Sequence, residues 1–333
     1  MLNNKSILVT GATGFFGKNF VQYIVKNFNP RRLVIFSRDE QKHYNLINEF
    51  KDNKNFGCLR FFIGDIRDKD RVNFAFKDVD YVVHAAAMKH VPLSEENPYE
   101  CIKTNIIGAE NVISASINNK VQKVIALSTD KAVNPINLYG ATKLCSDKLF
   151  IAARNIVGKN PTIFSVVRYG NVVGSTGSVL PYYLDLVKNK NTTLPITDLK
   201  MTRFWYQLDR GLEFVMSCFS NMRGGEIFVP KIPSIKILDL IRSFGKNIKV
   251  KEIGIRPGEK IHEIMCPKDE SYLTLEGDKF FIIAPDNFYI SKVKKNSFKF
   301  VEKNFEYSSY NNSRFLSVKE IQDVNKDFIK NNH

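Results

Sequence analysis

The chain has no run approaching the roughly 20 consecutive apolar residues that a membrane-spanning helix needs, so no membrane partner is expected. Cysteine is sparse: Cys58, Cys101, Cys145, Cys218 and Cys266 are scattered, odd in number and without metal-ligand spacing. Reduced thiols in a cytoplasmic setting are therefore the expectation, rather than a disulfide framework. The five histidines are equally dispersed, and no metal site is expected. There is no internal repeat and no low-complexity tract. The first strand pattern begins within a few residues of the start, which leaves no room for a leader peptide. Helix-turn-helix, zinc-finger and RNP signatures are all missing, which argues against a nucleic-acid partner despite a formal charge of +15. That excess is spread along the chain as a solvated surface, and part of it attracts polyanionic ligands.

What remains is a soluble-type composition, with 333 residues to build a main domain and a smaller one beside it. Apolar, β-rich runs recur from Ser6 to about Asn171: SILVT, RLVIF, LRFFIGD, DYVVHAA, KVIALST and TIFSVVRYGNV. They alternate with helical patterns, which predicts an α/β fold, a Rossmann-type doubly wound parallel sheet. Their consecutive apolar residues suit strands covered on both faces. After Val173 the rhythm breaks at the turn-prone segment Gly174 to Gly177. Residues 1–173 are expected to bind the cofactor, with 205–232 returning to that domain, while 174–204 and 233–333 form a smaller substrate lobe. The lobe is expected to close over the carboxyl edge of the sheet, where open α/β sheets bind ligands.

The first strand runs into Gly11, Thr13, Gly14, Phe15, Phe16 and Gly17, and then into a helical pattern with Phe16, Phe20, Ile24 and Phe28 spaced by four. Strand, glycines and helix in this order form a dinucleotide fingerprint: tight turn, close approach of backbone to pyrophosphate, and a helix N-terminus facing the phosphates. The second strand ends in Ser37-Arg38. Arginine there accommodates a 2′-phosphate, which favours NADP over NAD; a solvated loop arginine beside Asp39 is the alternative. Asp65-Ile66 and Ala85-Ala86, at later strand ends, are placed to meet adenine and ribose.

The chemistry concentrates in Ser128-Thr129-Asp130-Lys131 and Tyr139-Gly140-Ala141-Thr142-Lys143. Tyr139 and Lys143 stand four apart and share a helix face. An ammonium beside a phenol favours the phenolate and makes it a usable base. A surface ion pair at a strand end is the plain alternative for Asp130-Lys131.

With these residues in hand, the chain resembles the extended short-chain dehydrogenase/reductase family. It is most similar there to the inverting UDP-N-acetylglucosamine 4,6-dehydratases of pseudaminic acid synthesis for flagellin and surface-glycan glycosylation. The narrower likeness rests on Met88 to Pro92, Glu95 to Pro98, Thr104 to Gly108, Ser128 to Pro135, Met201 to Trp205, Gly224 to Lys231 and Ile255 to Glu263. Thr176, and Leu199-Lys200 after Asp198, depart from the family pattern in the substrate lobe and leave the exact sugar open.

The resemblance implies that Tyr139, its pKa lowered by Lys143, takes the C4 hydroxyl proton, with Thr129 on the same oxygen. It implies that Asp130 is a protonated general acid for the C6 hydroxyl. Lys131 is the C5 base, which needs a neutral amine and so a depressed pKa. Lys89, Met88, Asn171, Val179, Arg203, Arg256 and Glu259 are expected to meet UDP-N-acetylglucosamine, and Lys89 and Asn105 the cofactor side. His90 and His262 are expected to be structural. A homo-oligomer is implied as well. A UDP-sugar 4-epimerase, a retaining 4,6-dehydratase and a non-catalytic NADP-binding regulator are the alternatives; Asp130-Lys131 argues against the first two.

Overall fold

A computed structural model describes residues 1–160, 162–245, 247–293 and 297–331. The last two residues of the lobe expected at 233–333, and Lys294, Lys295 and Asn296 of its basic tail, lie outside the described residues. Among the described residues no helix is long and apolar enough to cross a membrane, and no group of three or more His, Cys, Asp or Glu side chains is placed to hold a metal.

Ten strands form the main sheet: β1 (Ser6–Thr10), β2 (Arg32–Ser37), β3 (Leu59–Ile63), β4 (Tyr81–His84), β5 (Lys123–Thr129), β6 (Ile163–Tyr169), β7 (Ile227–Pro230), β8 (Thr274–Glu276), β9 (Phe280–Ile283) and β10 (Lys299–Phe300). Their spatial order is β10-β8-β9-β7-β6-β5-β4-β1-β2-β3. The seven strands from β7 to β3 are mutually parallel, as the alternating pattern predicts. The order reverses beside β1, so the carboxyl ends of β1 and β4 border the crevice where such sheets take ligands.

β1, β4, β5 and β6 are buried along nearly their whole length because helices cover both faces. The helix Phe15–Asn27 turns Phe20, Val21, Ile24 and Val25 onto the sheet. Phe20 is fully buried, a contribution of about 1.5–3 kcal/mol from its ring alone.

The sequence reading places all of 233–333 in the lobe. Instead β8, β9 and β10 add antiparallel strands to the main sheet. Ile282 and Ile283 there supply buried faces to the main core, and an apolar strand pairs wherever a sheet edge is open.

The remaining residues form a lobe with a separate small core. Leu180, Trp205, Ile235, Leu240 and Ile321 are among its members. Short strands tie it together: Thr202–Tyr206 pairs with Ser234–Lys236 and with Asn171–Val172, and Thr193–Ile196 runs beside Lys249–Glu252. The lobe rises over the ends of β5 and β6.

Candidate active site

At the end of β1 the backbone is shaped by what the glycines lack. Gly11 has φ +64°, and a Cβ there would lie 2.8 Å from the N and Cα of Ala86. A Cβ on Gly17 would strike the Gly11 carbonyl oxygen, so this helix packs on its strand only with glycine present. Gly14 caps the helix Phe15–Asn27 with no side chain bonded over the end and no acidic residue in the first turn. The first N–H groups therefore face outward with a partial positive charge. That cradle fits the pyrophosphate of a dinucleotide. Phe16 does not add a wall to it: its ring stacks inward on Phe20 and Tyr169.

Around this floor the polar groups expected from the sequence are found in local networks. Thr13 Oγ1 lies 2.8 Å from Ser37 Oγ, which is 3.0 Å from His43 Nε2. Arg38 is exposed, 4.0 Å from Asp65, while Asp39 is taken up capping the next helix through Lys42 N. Burial opposes ionisation of Asp65, but Arg67, bonded through both Nε and Nη2, holds its carboxyl below the usual range. Ile66 is buried, packed against the backbone of Gly108. Ala85 and Ala86 donate their N–H groups to Thr10 Oγ1 at 3.2 and 3.3 Å. Thr10 Oγ1 also meets His84 Nδ1 at 2.8 Å. Burial, and then the Lys143 charge, push His84 down to about 3, so it stands neutral behind the site.

Asn105, expected on the cofactor side, is turned inward within the π-helical turn Lys103–Ile107. Its Oδ1 accepts from Met88 N, and its Nδ2 donates to Met88 O and Thr142 Oγ1. It fixes the loop that carries Met88 and Lys89 and has no amide atom left for a ligand. Lys89 Nζ donates to the Thr176 carbonyl, which ties this loop to the lobe.

Four of the five expected catalytic residues lie in one cluster at the end of β5, Asp130 and Tyr139 buried, Thr129 and Lys131 half-buried. Thr129 Oγ1 donates to Asp130 Oδ1 at 3.0 Å, and Lys131 Nζ donates to the same oxygen at 3.1 Å. Asp130 is 1% exposed, and its Oδ2 is buried with no partner. Burial, reinforced by the charge of Glu263 and only partly offset by Lys131, raises the Asp130 pKa. That is the condition for a general acid.

Tyr139 sits on the helix Leu138–Ala152, whose start is capped by Asn137: its Oδ1 accepts from Gly140 N at 2.7 Å. Burial pushes the phenol up to about 12, against the pull of Lys131 and of the neighbouring Thr129 hydroxyl. The lowering was expected from Lys143 together with the positive charge of a bound nicotinamide; among the protein's own groups it is Lys131 that pulls the phenol down. Lys143 Nζ instead donates to the Leu127 carbonyl at 2.8 Å, on the strand side of the helix. Lys131 is the cation that acts on the phenol.

Lys131 needs a second correction. A depressed amine was expected, yet its pKa is raised. Burial disfavours the charge, but carboxylates on two sides outweigh it: Asp130, and Glu263 with Oε1 at 3.1 Å from Nζ. Glu263 closes the segment Ile255 to Glu263 on which the resemblance rests, but no role was read for it there, 132 positions from Lys131.

Among the expected sugar and nucleotide contacts, Asn171 has a buried Oδ1 without a partner, as a ligand-facing amide would. Val179 is half-buried at the start of the helix Val179–Lys188. Arg203 does not face a ligand. It is buried, with three guanidinium N–H groups donated to the carbonyls of Thr202, Ile261 and Lys260, and it lies near Glu259 and Glu263. Arg256 and Glu259 form a two-pronged pair with each other, both bonds 2.9 Å, while Glu259 also accepts from Thr197. Arg256 remains exposed at the rim.

With glycine cradle and acid–base cluster both at the carboxyl edge of the parallel strands, comparison with known proteins becomes informative. The family described as polysaccharide biosynthesis protein matches residues 7–285. The chain belongs to that family. A UDP-N-acetylglucosamine 4,6-dehydratase (inverting) from Campylobacter jejuni is 52% identical over 332 residues, covering 97% of this chain and 98% of that protein. A UDP-glucose 4-epimerase from Rickettsia bellii is 38% identical and covers 99% of this chain and 98% of its own. The crystal structure of Pen from Bacillus thuringiensis superimposes with a TM-score of 0.89 at 36% identity, covering 98% of this chain and 99% of that one.

Proposed function

We propose that the chain is a UDP-N-acetylglucosamine 4,6-dehydratase that inverts C5, giving UDP-2-acetamido-2,6-dideoxy-β-L-arabino-hexos-4-ulose. The observation that carries this is the buried cluster of Asp130, Lys131 and Glu263 set beside Thr129 and Tyr139. The similarity to the Campylobacter jejuni enzyme supports it. Oxidation at C4 alone needs one base. Elimination across C5 and C6 needs a second base and an acid, which this cluster supplies.

Gly11, Gly14 and Gly17 would hold the pyrophosphate of a nicotinamide dinucleotide, and the exposed Arg38 would favour NADP over NAD. When bound, that group supplies the hydride acceptor for C4 and the hydride donor for C6. Tyr139 takes the C4 hydroxyl proton as a phenolate, once its own resting proton has been released, and the Thr129 hydroxyl steadies the same oxygen. The C4 ketone then makes the C5 proton acidic. Lys131 removes it, acting only after its own resting proton has been released. Asp130 gives its proton to the departing C6 hydroxyl, which leaves as water. Asn171 and Arg256 contact the nucleotide-sugar from the lobe.

The product suits pseudaminic acid synthesis for flagellin or surface-glycan modification in the cytoplasm, by an enzyme that works as a homo-oligomer. The Rickettsia relative favours one other reading, a UDP-sugar 4-epimerase. An epimerase returns hydride to C4 and leaves C5 and C6 untouched, so the cluster would have no task.

NMR of the purified protein with UDP-N-acetylglucosamine and catalytic NADP⁺ in deuterated water separates the two. The expected result is a new C6 methyl signal, a C4 ketone or its hydrate, deuterium at C5 and L-arabino couplings. A galacto-configured sugar with no methyl group would establish the epimerase, and unchanged sugar would remove both readings for this substrate.

A further inference from the structure

One fully buried cation takes no part in the steps above. Arg168, next to last on β6, is 2% exposed, and its register partner on β5 is Ser128. Both side chains leave the sheet toward the helix Leu138–Ala152 and meet there on one atom. Asp147 Oδ2 accepts from Ser128 Oγ at 2.8 Å and from Arg168 Nη2 at 3.4 Å. The other arm of the guanidinium reaches out of these elements: Nη1 donates to the Met265 carbonyl at 2.8 Å, with Glu270 at 4.0 Å. Asp147 is as buried as Arg168. Burial raises its pKa, and Arg168, Lys143 and the Ser128 hydroxyl work against that rise, while the guanidinium keeps its proton throughout.

The far ends of these bonds single the pair out. Ser128 immediately precedes Thr129, Asp130 and Lys131. Asp147 is four residues past Lys143 and eight past Tyr139, on one helix face with them. Met265 is two residues past Glu263, in the short strand Ile264–Cys266. Each of the three segments that bring a side chain into the acid–base cluster is therefore fastened to Asp147 or to Arg168. A buried ion pair is weak evidence for stability, because an apolar pair of similar volume fills the space as well. An apolar pair has no directed bonds with which to hold three segments in place.

We propose, on the dehydratase reading above, that Asp147 and Arg168 are positioning residues that hold the end of β5, the Tyr139 helix and the Glu263 segment in the placement elimination requires. Neither touches a reacting atom. Their effect passes through Ser128 to the Thr129–Lys131 turn, through the helix to Tyr139 and Lys143, and through Met265 to Glu263.

The test separates holding from stabilising. Arg168→Met alone leaves Asp147 buried without its cation and should lower the melting midpoint sharply. Asp147→Leu combined with Arg168→Met removes both charges and should regain most of that loss. With UDP-N-acetylglucosamine and NADP⁺, kcat of the double variant should nevertheless be about 10²-fold below the wild type, as for a misplacement of about 1 Å, with KM and cofactor Kd each within about three-fold. Arg168→Lys keeps a cation beside Asp147 but has no second arm for Met265. It should melt near the wild type with kcat lowered about ten-fold, and it carries the test if the double variant does not fold. Wild-type kcat in either variant overturns the proposal. So does a loss shared equally by kcat, KM and Kd, which a general loosening of the fold would give.

If the wild-type protein leaves UDP-N-acetylglucosamine unchanged, the dehydratase reading fails, and the anchoring is judged without turnover. Hydrogen exchange of the ligand-free protein, read by mass spectrometry, should then quicken together over 128–133, 139–147 and 261–266 in the double variant, with β1 to β3 unaffected. A wild-type exchange rate in any one of those three segments sinks the anchoring itself.

Discussion

Two stretches of the sheet's carboxyl edge are built by opposite means. At β1 the protein removes side chains: Gly11, Gly14 and Gly17 leave bare backbone, and no capping group competes for the helix N-terminus. At β5 it crowds them in, with Asp130 and Tyr139 buried and Lys131 half-buried against Glu263 from the lobe. The first arrangement needs only fixed partial charges, which backbone supplies at no risk of titration. The second must move protons, and so needs groups whose proton affinities are set apart by burial and by one another. Pre-organised dipoles and exchangeable protons are different requirements, and the fold meets them with different chemistry on one sheet edge.

The sharpest way to break this contrast is at the proton-moving end. Tyr139→Phe keeps the ring and its packing but removes the phenol, and should lower kcat by about 10²–10⁴-fold with cofactor affinity unchanged. Steady-state kinetics beside cofactor titration reads both. The pH dependence follows from Asp130. A general acid acts only while protonated, so dehydration should fall as pH rises through its raised pKa, and Asp130→Asn should abolish that alkaline limb along with most of the rate.

The backbone end should fail differently. Gly11→Ala places a Cβ 2.8 Å from the Ala86 backbone, at φ +64°. The left-handed conformation alone costs roughly 1–2 kcal/mol, and backbone on the other side of the clash gives way poorly. A lower denaturation midpoint and a cofactor Kd raised by at least about tenfold are expected, by melting and fluorescence titration. If kcat fell while Kd held, the division of labour drawn here would be wrong.

The same contrast explains what was legible in the sequence. The glycine loop is a contiguous string whose order alone implies its geometry, and the runs from SILVT to TIFSVVRYGNV become β1 to β6 because all but the edge strand β3 are apolar on both faces. Thr129, Asp130, Lys131 and Tyr139 were legible for the same reason: they are local. Glu263 was not, because the pairing that defines it spans 132 positions and no short-range spacing reports it. The Lys131 proton state was misjudged as well, since Asp130 first and then Glu263 outweigh its burial. Arg203 failed through the opposite cause. Arginine suits phosphate in a sequence, but only the fold reveals that carbonyls of Thr202, Lys260 and Ile261 already take its donors.

Arg38 offers a smaller test at the rim of the cofactor floor. Its guanidinium is 64% exposed and only loosely paired, at 4.0 Å from Asp65. A charge-assisted contact with a 2′-phosphate is worth about 1.5–3 kcal/mol, so Arg38→Ala should weaken NADP⁺ binding by roughly 10–100-fold and leave NAD⁺ binding nearly unchanged. Equal effects on the two cofactors would return Arg38 to the solvated loop and leave Ser37 as the remaining candidate.

The smallest effect is expected at the joint between the two regions. Asn137 caps the Tyr139 helix through Gly140 N, and its Nδ2 donates to the Gly258 carbonyl of the lobe, both at 2.7 Å. One side chain therefore sets the start of the catalytic helix and fastens it to the loop carrying Arg256 and Glu259. Loss of a cap costs typically about 1 kcal/mol, and the second bond adds a comparable amount. Asn137→Ala should lower the denaturation midpoint accordingly. Asn137→Ser restores an N-cap oxygen but is too short to reach Gly258 as well, so it should recover the helix contribution and not the lobe contact. If Asn137→Ser regained full stability and full KM for the nucleotide-sugar, the lobe would be held in place by its own core, and the cap would serve Tyr139 alone.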